Sequence, residues 1–512
     1  MPAADVSLRD AATPLVLTID VGTSSARVQL YDARARAVRD VASQVHYQAR
    51  TSSDGGNWFD VRELEHEVVG AIDRVVQAAG ERARDVRAVA TSTIWHSMLG
   101  VDSSHAAITP LYTWADTRSE PAVEKLKRML DDEEVHKRTG CVLHTSYFPA
   151  KLLWIRETQP ETWRNVWRWV SFGEYLYMRC FGDCLCSLSM ASGTGLLNQH
   201  TRAWDEPMLT ALTLEPDRLS PLGDLDRPAT GLREEYARRW PALAGVPWYL
   251  AVGDGAASNV GCGCTTPARL ALMVGTSAAM RVVRTADDVE VPHGVWCYRI
   301  DATRFIFGGA LSNGGNLVSW LTNTIRIESL DAAEQELGAA EPDGHGLTVL
   351  PFLAGERSPY WAGYARASIV GLNLHSRPID MLQAALESVA YRVALVYDLL
   401  RPVAPRADEI VASGGALLNS PAWVRIMADV LGRPITASAE AEASSRGVAL
   451  LALEQLGAIE SIHAVPAELG ARYEPRAARH ERYRSARDRQ QRLYDRLIRD
   501  RWDISPPSSS GS

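Results

Sequence analysis

At 512 residues the chain is long enough for two or more domains, and a 46% share of hydrophobic residues supplies sizeable cores. A formal net charge of -8 and a pI near 5.9 exclude a general binder of nucleic acid or anionic membranes, which needs a basic field, and point to small-molecule chemistry. The seven cysteines, at 141, 180, 184, 186, 262, 264 and 297, form neither a paired CxxC framework nor a zinc-finger spacing with histidine. An odd count in a long chain points to reduced thiols and a cytoplasmic protein. Cys184-Leu-Cys186 and Cys262-Gly-Cys264 read either as metal ligands or as small buried core residues. The opening MPAADVSLRDAAT lacks a basic region followed by an apolar one, so no signal peptide is expected, and no apolar run approaches the length of a membrane span.

In chain order, 15–20 and 27–31 read as a hairpin, and 38–47 as a third strand. Leu64, Val68, Ile72, Val75 and Val76 recur at helical spacing and predict a helix over 61–80, followed by a buried strand over 86–91. That order suggests a mixed sheet with helices on its faces. The segment 92–119 is dense in polar groups that a core strand would avoid, among them His96, Ser97, Trp114, Asp116 and Arg118. A lone histidine is commonly a satisfied structural residue. In company with Trp, Asp and Arg it also reads as a wall for a polyol, since sugars want hydrogen-bonding groups beside an apolar face. Helices are predicted over 120–130, 150–157 and 173–180, and the tryptophans at 154, 163, 167 and 169 read as packing residues. Strands follow over 293–300 and 304–309. LSNGGNLVSWL at 311–321 then opens a helix, and a strand over 348–353 leads into the irregular segment beginning at Gly355. A long helix over 378–400, a strand over 409–412 and helices over 421–431 and 444–456 complete the second half. The arginine-rich tail, 472–502, carries interspersed acids and reads as a solvated surface helix, with PPSSSGS disordered at the end.

The organising stretch is 253–277, GDGAASNVGCGCTTPARLALMVGTS. Its last four residues, Val274 to Ser277, repeat Val21 to Ser24, each copy following a strand-like apolar run, LVLTI or LALMV, which reads as an internal duplication. One Gly-Thr-Ser turn is as well explained by a hairpin. Two such turns offer backbone amides and hydroxyls to grip one polyphosphate, because glycine lets the chain approach closely. The lysines at 125, 127, 137 and 151 stand outside any GxxxxGK[ST], which excludes a P-loop, and no protein-kinase catalytic loop is present.

Over nearly its whole length the chain resembles the FGGY family of carbohydrate kinases, within the actin, Hsp70 and hexokinase superfamily. The resemblance is carried by Asp20 with GTSSAR, WADTR at 114–118, GDGAASNVG at 253–261, VGTS at 274–277, GERSPYW at 355–361 and SGGALLNSPAWVRIMADVLGRPI at 413–435. It implies an α/β fold of two ribonuclease-H-like (actin/hexokinase-type) domains flanking a deep cleft, with the sugar deep and ATP above it. The spans expected are 14–253 for an N-terminal domain with the sugar site and first phosphate turn, 254–470 for a C-terminal nucleotide-binding domain, and 471–512 for the arginine-rich helix and tail.

Roles carry over from the resemblance by position. Asp254 stands in the place of the general base for the sugar hydroxyl. Asp20 stands in the place of the aspartate that helps to hold hydrated Mg2+. Gly22, Thr23, Ser24 and Arg27, with Gly275 and Thr276, match phosphate-contacting positions. Gly315, Gly414, Gly415 and Asn419 match positions around the rest of the ATP. His96, Ser97, Trp114 and Asp116 join Asp254 as substrate-binding candidates. HSMLGVD at 96–102, WADTRS and TGCVLH at 139–144 look like the gluconokinases of the family. Xylulokinases are the nearest rival, although they usually carry an asparagine where Gly255 stands, and the His96-Ser97 pair speaks against glycerol. Trp95 departs from the usual methionine, and Ala362 and Ala367 stand where members often have Asp and Gly. The expected activity is ATP-dependent phosphorylation of a sugar acid such as gluconate, with no nucleic-acid or membrane partner and with a homodimer as the expected assembly. A different class, a non-catalytic sugar-responsive or chaperone-like ATPase, is disfavoured by the retained Asp254.

Overall fold

The computed structural model describes residues 5–325, 327 and 329–500. They divide into two compact units whose segments interleave along the chain. The first takes the chain up to Pro267 together with Val282–Phe307 and Ser438–Leu469. The second takes Ala268–Arg281, Gly308–Ala437 and the chain from Gly470 onward. Residues 438–469 group with the first unit, where the helix Ala443–Gln455 buries Gly447, Val448, Ala449 and Leu450.

In the first unit, β1 (Leu15–Val21), β2 (Ser25–Tyr31) and β3 (Ala37–His46) form an antiparallel meander. After helix α1 (Val61–Ala79), strand β4 (Val86–Thr93) pairs parallel to β1, and β5 (Trp248–Gly253) pairs parallel to β4. The sheet order is β5-β4-β1-β2-β3. Helix α1 forms where the periodicity predicts it. The Asp60 carboxylate caps it by accepting from the Arg62 and Glu63 N–H groups, and it stops at Gly80, whose φ of 54° suits glycine. Its buried stripe, Leu64, Val68, Ile72 and Val75, joins the sheet core. Helix α2 (Phe172–Phe181) packs into the same core.

Helix α3 (Asp254–Gly261) follows β5 directly and lies against the helix Ala443–Gln455. A Cβ on Gly261 would run into the Ala443 carbonyl, and one on Gly447 into the Ala257 carbonyl, so the two backbones touch. The tryptophans expected to pack do so: Trp154, Trp163 and Trp169 belong to a second cluster of this unit, and Trp167 packs against the sheet core.

In the second unit, β6 (Arg269–Val274), β7 (Glu409–Ser413) and β8 (Ile435–Ser438) pair in parallel, and a further strand begins at Ala278 after the second Gly-Thr-Ser turn. Helices α4 (Gly315–Thr324), α5 (Pro378–Leu400) and α7 (Pro421–Leu431) complete the pattern read from the sequence, while the short helix α6 (Gly415–Leu418) falls in a stretch where no helix is predicted.

The arginine-rich tail corrects its sequence reading. Helix α8 (Ala477–Tyr494) buries Tyr483, Ala486, Gln490 and Tyr494, a face at helical spacing. Tyr483 donates to the buried Glu387 at 3.1 Å, Gln490 to the Val349 carbonyl at 2.8 Å and Tyr494 to the buried Glu356 at 2.7 Å. The helix was read as solvated because tyrosine and glutamine carry this face rather than aliphatic residues. The expected disorder of PPSSSGS falls outside the described residues.

All seven cysteines are buried, in keeping with the core reading. Burial pushes the Cys184, Cys186 and Cys297 thiols well above the usual range. Among the described residues, the group whose ligand atoms converge as a metal site's would is Asp343, His345 and Glu387. It is internally committed. Asp343 pairs with Arg489, His345 Nδ1 accepts from the Leu347 N–H at 2.9 Å, and Glu387 accepts from Gln383, Tyr391 and Tyr483. No helix among the described residues is long and apolar enough to cross a membrane.

Candidate active site

Parallel strands collect functional groups at their carboxyl ends, where the backbone must leave the sheet. In the first unit the register places Asp20 beside Ser92 on one flank and Arg27 on the other, and Gly253 beside Thr93. Asp254 is the next residue after β5 and the first of α3, where the positive end of the helix dipole favours a negative charge. Its Oδ1 accepts from its neighbour Gly255 N–H at 2.8 Å and from Trp95 N–H at 3.4 Å, which orients the carboxylate.

Asp20 is half-buried, and its pKa is pushed up to about 7. Burial is the main cause; the Asp254 and Glu442 charges add to it, while Ser92 and Arg27 oppose it. The Asp254 and Glu442 carboxylates therefore both lie within electrostatic reach of Asp20, with Arg27 as a compensating cation. Arg27 pairs with Glu442 at 2.6 Å and donates to Gln44 at 2.7 Å, so its guanidinium is braced by a residue more than four hundred positions away. Glu442 is a site residue that sequence reading missed, since nothing local distinguishes it from any exposed glutamate.

Beside Asp254 stands an aromatic wall. His96 adopts a left-handed φ of 63° and its Nδ1–H donates to the Gly193 carbonyl, which fixes ring orientation and tautomer. Its ring stacks with Trp95 (6.2 Å, 21°) and meets Tyr147 (5.1 Å) and Tyr298 (5.3 Å) edge-on. Tyr147 and Tyr298 share a hydroxyl hydrogen bond of 2.7 Å, and Trp296 stacks on Tyr298 at 4.1 Å. Tyr147, Trp296 and Tyr298 were missed as well, because sequence separation hides their convergence. The Trp95 departure is accommodated sterically: side chains at Gly253 or Gly193 would collide with its indole, whose N–H donates to the Ser189 carbonyl at 3.0 Å.

Two expected sugar ligands are placed otherwise. Ser97 is 0% exposed and donates to the Ile94 carbonyl at 2.9 Å, which makes it a lock on the turn that presents His96. Asp116 is 2% exposed; it accepts from Asn57 N–H at 3.0 Å and pairs with Arg118 at 2.6 Å. Arg118 in turn lies over Trp58, Tyr112 and Trp154. Both donor and acceptor of this pair are committed, so Asp116 braces the half-buried loop of Trp114.

The two Gly-Thr-Ser turns close differently, with Gly22 N–H donating to the Ser25 carbonyl three residues on and Gly275 N–H to the Ser277 carbonyl two residues on, each at 2.9 Å. Thr23 and Ser24 are exposed. In the second unit, Gly275 and Thr276 receive the start of α4: the Gly315 N–H donates to the Gly275 carbonyl at 2.8 Å and the Asn316 N–H to the Thr276 carbonyl at 3.1 Å. Packing demands glycine at Gly315, where a Cβ would meet Ala416 and the Gly275 carbonyl at 2.6 Å, and at Gly414, where φ is 92° and the Val274 backbone blocks any side chain. Packing makes no such demand at Gly275, where a Cβ would meet only Met273 at 3.7 Å, or at Gly415, where only Asn419 lies within 3.8 Å. Both flank a pocket lined by Gly275, Thr276, Gly315, Trp320 and Ala416, with Gly415 and Asn419 exposed beside it.

A meander-plus-parallel sheet, a carboxylate at the start of the helix behind it, and a second parallel-stranded unit with a matching turn define a ribonuclease-H-like sugar kinase. The chain belongs to the FGGY family of carbohydrate kinases, whose N-terminal domain matches residues 15–261 and whose C-terminal domain matches 270–456. It is 26% identical to a gluconokinase of Bacillus subtilis over 472 residues, 90% of this chain and 91% of that protein. The structure superposes with a TM-score of 0.88 on a gluconate kinase from Lactobacillus acidophilus at 24% identity, covering 95% of this chain and 99% of the other. A ligand-bound xylulose kinase from the same organism gives the same TM-score at 25% identity, covering 94% and 98%.

Proposed function

We propose that this carbohydrate kinase transfers the terminal phosphoryl group of ATP to D-gluconate, giving 6-phosphogluconate. The observation that carries the reading is the placement of Asp254, oriented by two backbone N–H groups, beside the aromatic wall built on His96. A sugar acid docks an apolar face on such rings and presents its hydroxyl to the carboxylate. Asp254 accepts the hydroxyl proton as the oxygen attacks the γ-phosphorus, and the bond to the β,γ-bridging oxygen breaks. The transition state is loose, so aiming the nucleophile and neutralising phosphate charge matter more than covalent help. Within this reading residues 14–253 supply the acceptor groups and the first turn, and 254–470 most of the nucleotide contacts. Gly22, Thr23, Ser24 and Arg27 and the pair Gly275 and Thr276 serve the phosphates. Gly315, Gly414, Gly415 and Asn419 border the rest of the nucleotide, with the packing of the first two shaping the pocket.

A divalent cation fits the charge of the first unit, because Asp20 lies within electrostatic reach of the Asp254 and Glu442 carboxylates, which Arg27 partly offsets. Asp20 would hold Mg2+ through its water shell, and the ion would neutralise phosphate charge. The runner-up acceptor is xylulose, favoured by the equal structural likeness to a xylulose kinase. A coupled ADP-release assay over gluconate, xylulose, ribulose and glycerol decides the acceptor; a much higher kcat/KM for xylulose than for gluconate replaces the gluconate reading. ADP release without any acceptor at a comparable rate defeats the kinase reading itself. The expected homodimer is part of the proposal and is checked by sedimentation equilibrium.

A further inference from the structure

Lys151 is 1% exposed and takes no part in the chemistry described so far. Lysine is almost never fully buried, because taking the ammonium out of water costs free energy that a methionine filling the same space would not. Its place adds to that cost, since it lies in the first turn of the helix Phe148–Thr158, where the helix dipole repels a cation. Burial drives its pKa from 10.5 down to about 7. Packing alone therefore does not account for a lysine here, whereas its N–H donors do. The ammonium donates to two consecutive backbone carbonyls, that of Thr145 and, at 3.0 Å, that of Ser146, and both residues are buried. The next residue is Tyr147, which shares the 2.7 Å hydroxyl bond with Tyr298 and meets the His96 ring edge-on. On the preceding side, His144 Nδ1 accepts from the Ser146 N–H at 3.1 Å. The Asp116 carboxylate lies within electrostatic reach of Lys151 and favours its charged form, which ties the loop of Trp114 to the loop of Tyr147.

We propose that Lys151 is a positioning residue for the phosphoryl acceptor: it clamps residues 144–147 beside the Trp114 loop and so holds Tyr147 against His96, an inference that rests on the aromatic wall being the acceptor site. Lys151 acts through the backbone it holds. A loosened loop lets Tyr147 drift from His96 and Tyr298, and the wall loses its fit to the acceptor. The Gly-Thr-Ser turns, which hold the phosphates in the same reading, are untouched. The signature is a defect in the KM of the acceptor and not in that of ATP.

The test is steady-state kinetics of the full chain, with ATP varied in turn with the acceptor that the ADP-release screen selects, gluconate on the present reading. Loss of a charged donor from buried carbonyls weakens an arrangement by roughly 10-fold or more. Lys151→Met is therefore expected to raise the acceptor KM by about that factor and to leave the ATP KM unchanged. Lys151→Ala, which admits water to the two carbonyls, should show the same split and is read in place of a methionine variant that does not fold. Failure of both to fold overturns the proposal in favour of a purely structural role. In a Tyr147→Phe background the effect of either Lys151 variant should shrink, because the hydroxyl contact that the clamp preserves is already gone. An equal rise in both KM values, or strict additivity with Tyr147→Phe, also overturns it. His96→Ala, measured alongside, separates the proposal from the reading beneath it. A raised acceptor KM in His96→Ala beside a normal one in the Lys151 variants overturns the positioning role and leaves the acceptor wall standing. A normal acceptor KM in His96→Ala removes the wall from acceptor binding, and the positioning role with it.

Discussion

Asp254 and the glycines of the two turns divide the chemistry at the scale of single residues. Asp254→Asn keeps the shape and the hydrogen-bonding oxygen of the side chain but cannot accept the substrate proton. Turnover should fall at least roughly 100-fold with sugar and nucleotide affinity retained; steady-state rates with saturating acceptor measure this, and near-normal turnover would remove Asp254 from the role. At Gly275 the protein itself leaves space for a Cβ, so Gly275→Val should fold normally by circular dichroism while weakening ATP binding through obstruction of the backbone N–H groups. Gly22, where a Cβ would meet only the Ser25 carbonyl at 3.4 Å, should behave alike. Unchanged nucleotide affinity by calorimetry in both variants refutes the paired-turn idea. Gly414→Val makes the contrast, since its φ of 92° and the Val274 backbone predict loss of fold rather than a selective binding defect.

At the scale of elements, the C-terminal helix α8 serves the second unit as a polar plug. Glu356 and Arg392 form a buried ion pair, and burial pushes the Glu356 carboxyl up from its usual range while the arginine opposes the shift. Tyr494 completes the set by donating to Glu356 from α8. A buried carboxylate that loses a donor keeps its desolvation cost. Tyr494→Phe, which retains the ring packing against Phe352, should lower stability by about 1–3 kcal/mol in urea denaturation. A change within error means that water replaces the hydroxyl without loss. The same element shows why composition misleads. Arg482, Arg484 and Arg487 pair with the acids Glu341, Glu481 and Asp398, whereas the buried face consists of two tyrosines, an alanine and a glutamine.

For the whole molecule, stability should carry a pH signature from Asp224, whose carboxylate accepts from Leu225 N–H at 2.9 Å and Ala302 N–H at 2.7 Å. Burial, with help from Asp301, pushes its pKa up from 3.8 to about 6, against the pull of those N–H groups. A carboxyl whose pKa is higher folded than unfolded binds protons more tightly when folded. Its contribution is therefore fully present below pH 3.8 and is lost as the pH rises through about 6. The stability of Asp224→Asn relative to wild type should accordingly rise by roughly 2 kcal/mol between pH 4.5 and 7.5, less to the extent that solvent reaches the group. A flat difference across that range contradicts the shift.

Periodicity and turn chemistry are local, and they were legible from the chain: the β1 to β3 meander, α1 with its Asp60 cap and Gly80 stop, α5, and the repeated Gly-Thr-Ser turns all lie where side-chain spacing puts them. The candidate base and both turns were likewise visible, because Asp254 and each VGTS stand at the ends of apolar strand runs. Tertiary structure decided what depends on distant neighbours. It assigned 438–469 to the first unit, set Glu442 against Arg27, gathered Tyr147, Trp296 and Tyr298 around His96, and turned Ser97 and Asp116 inward as braces. The physical reason is that a polar residue's role is set by which donors and acceptors reach it after folding. Spacing along the chain reports only which face of its own element a residue occupies.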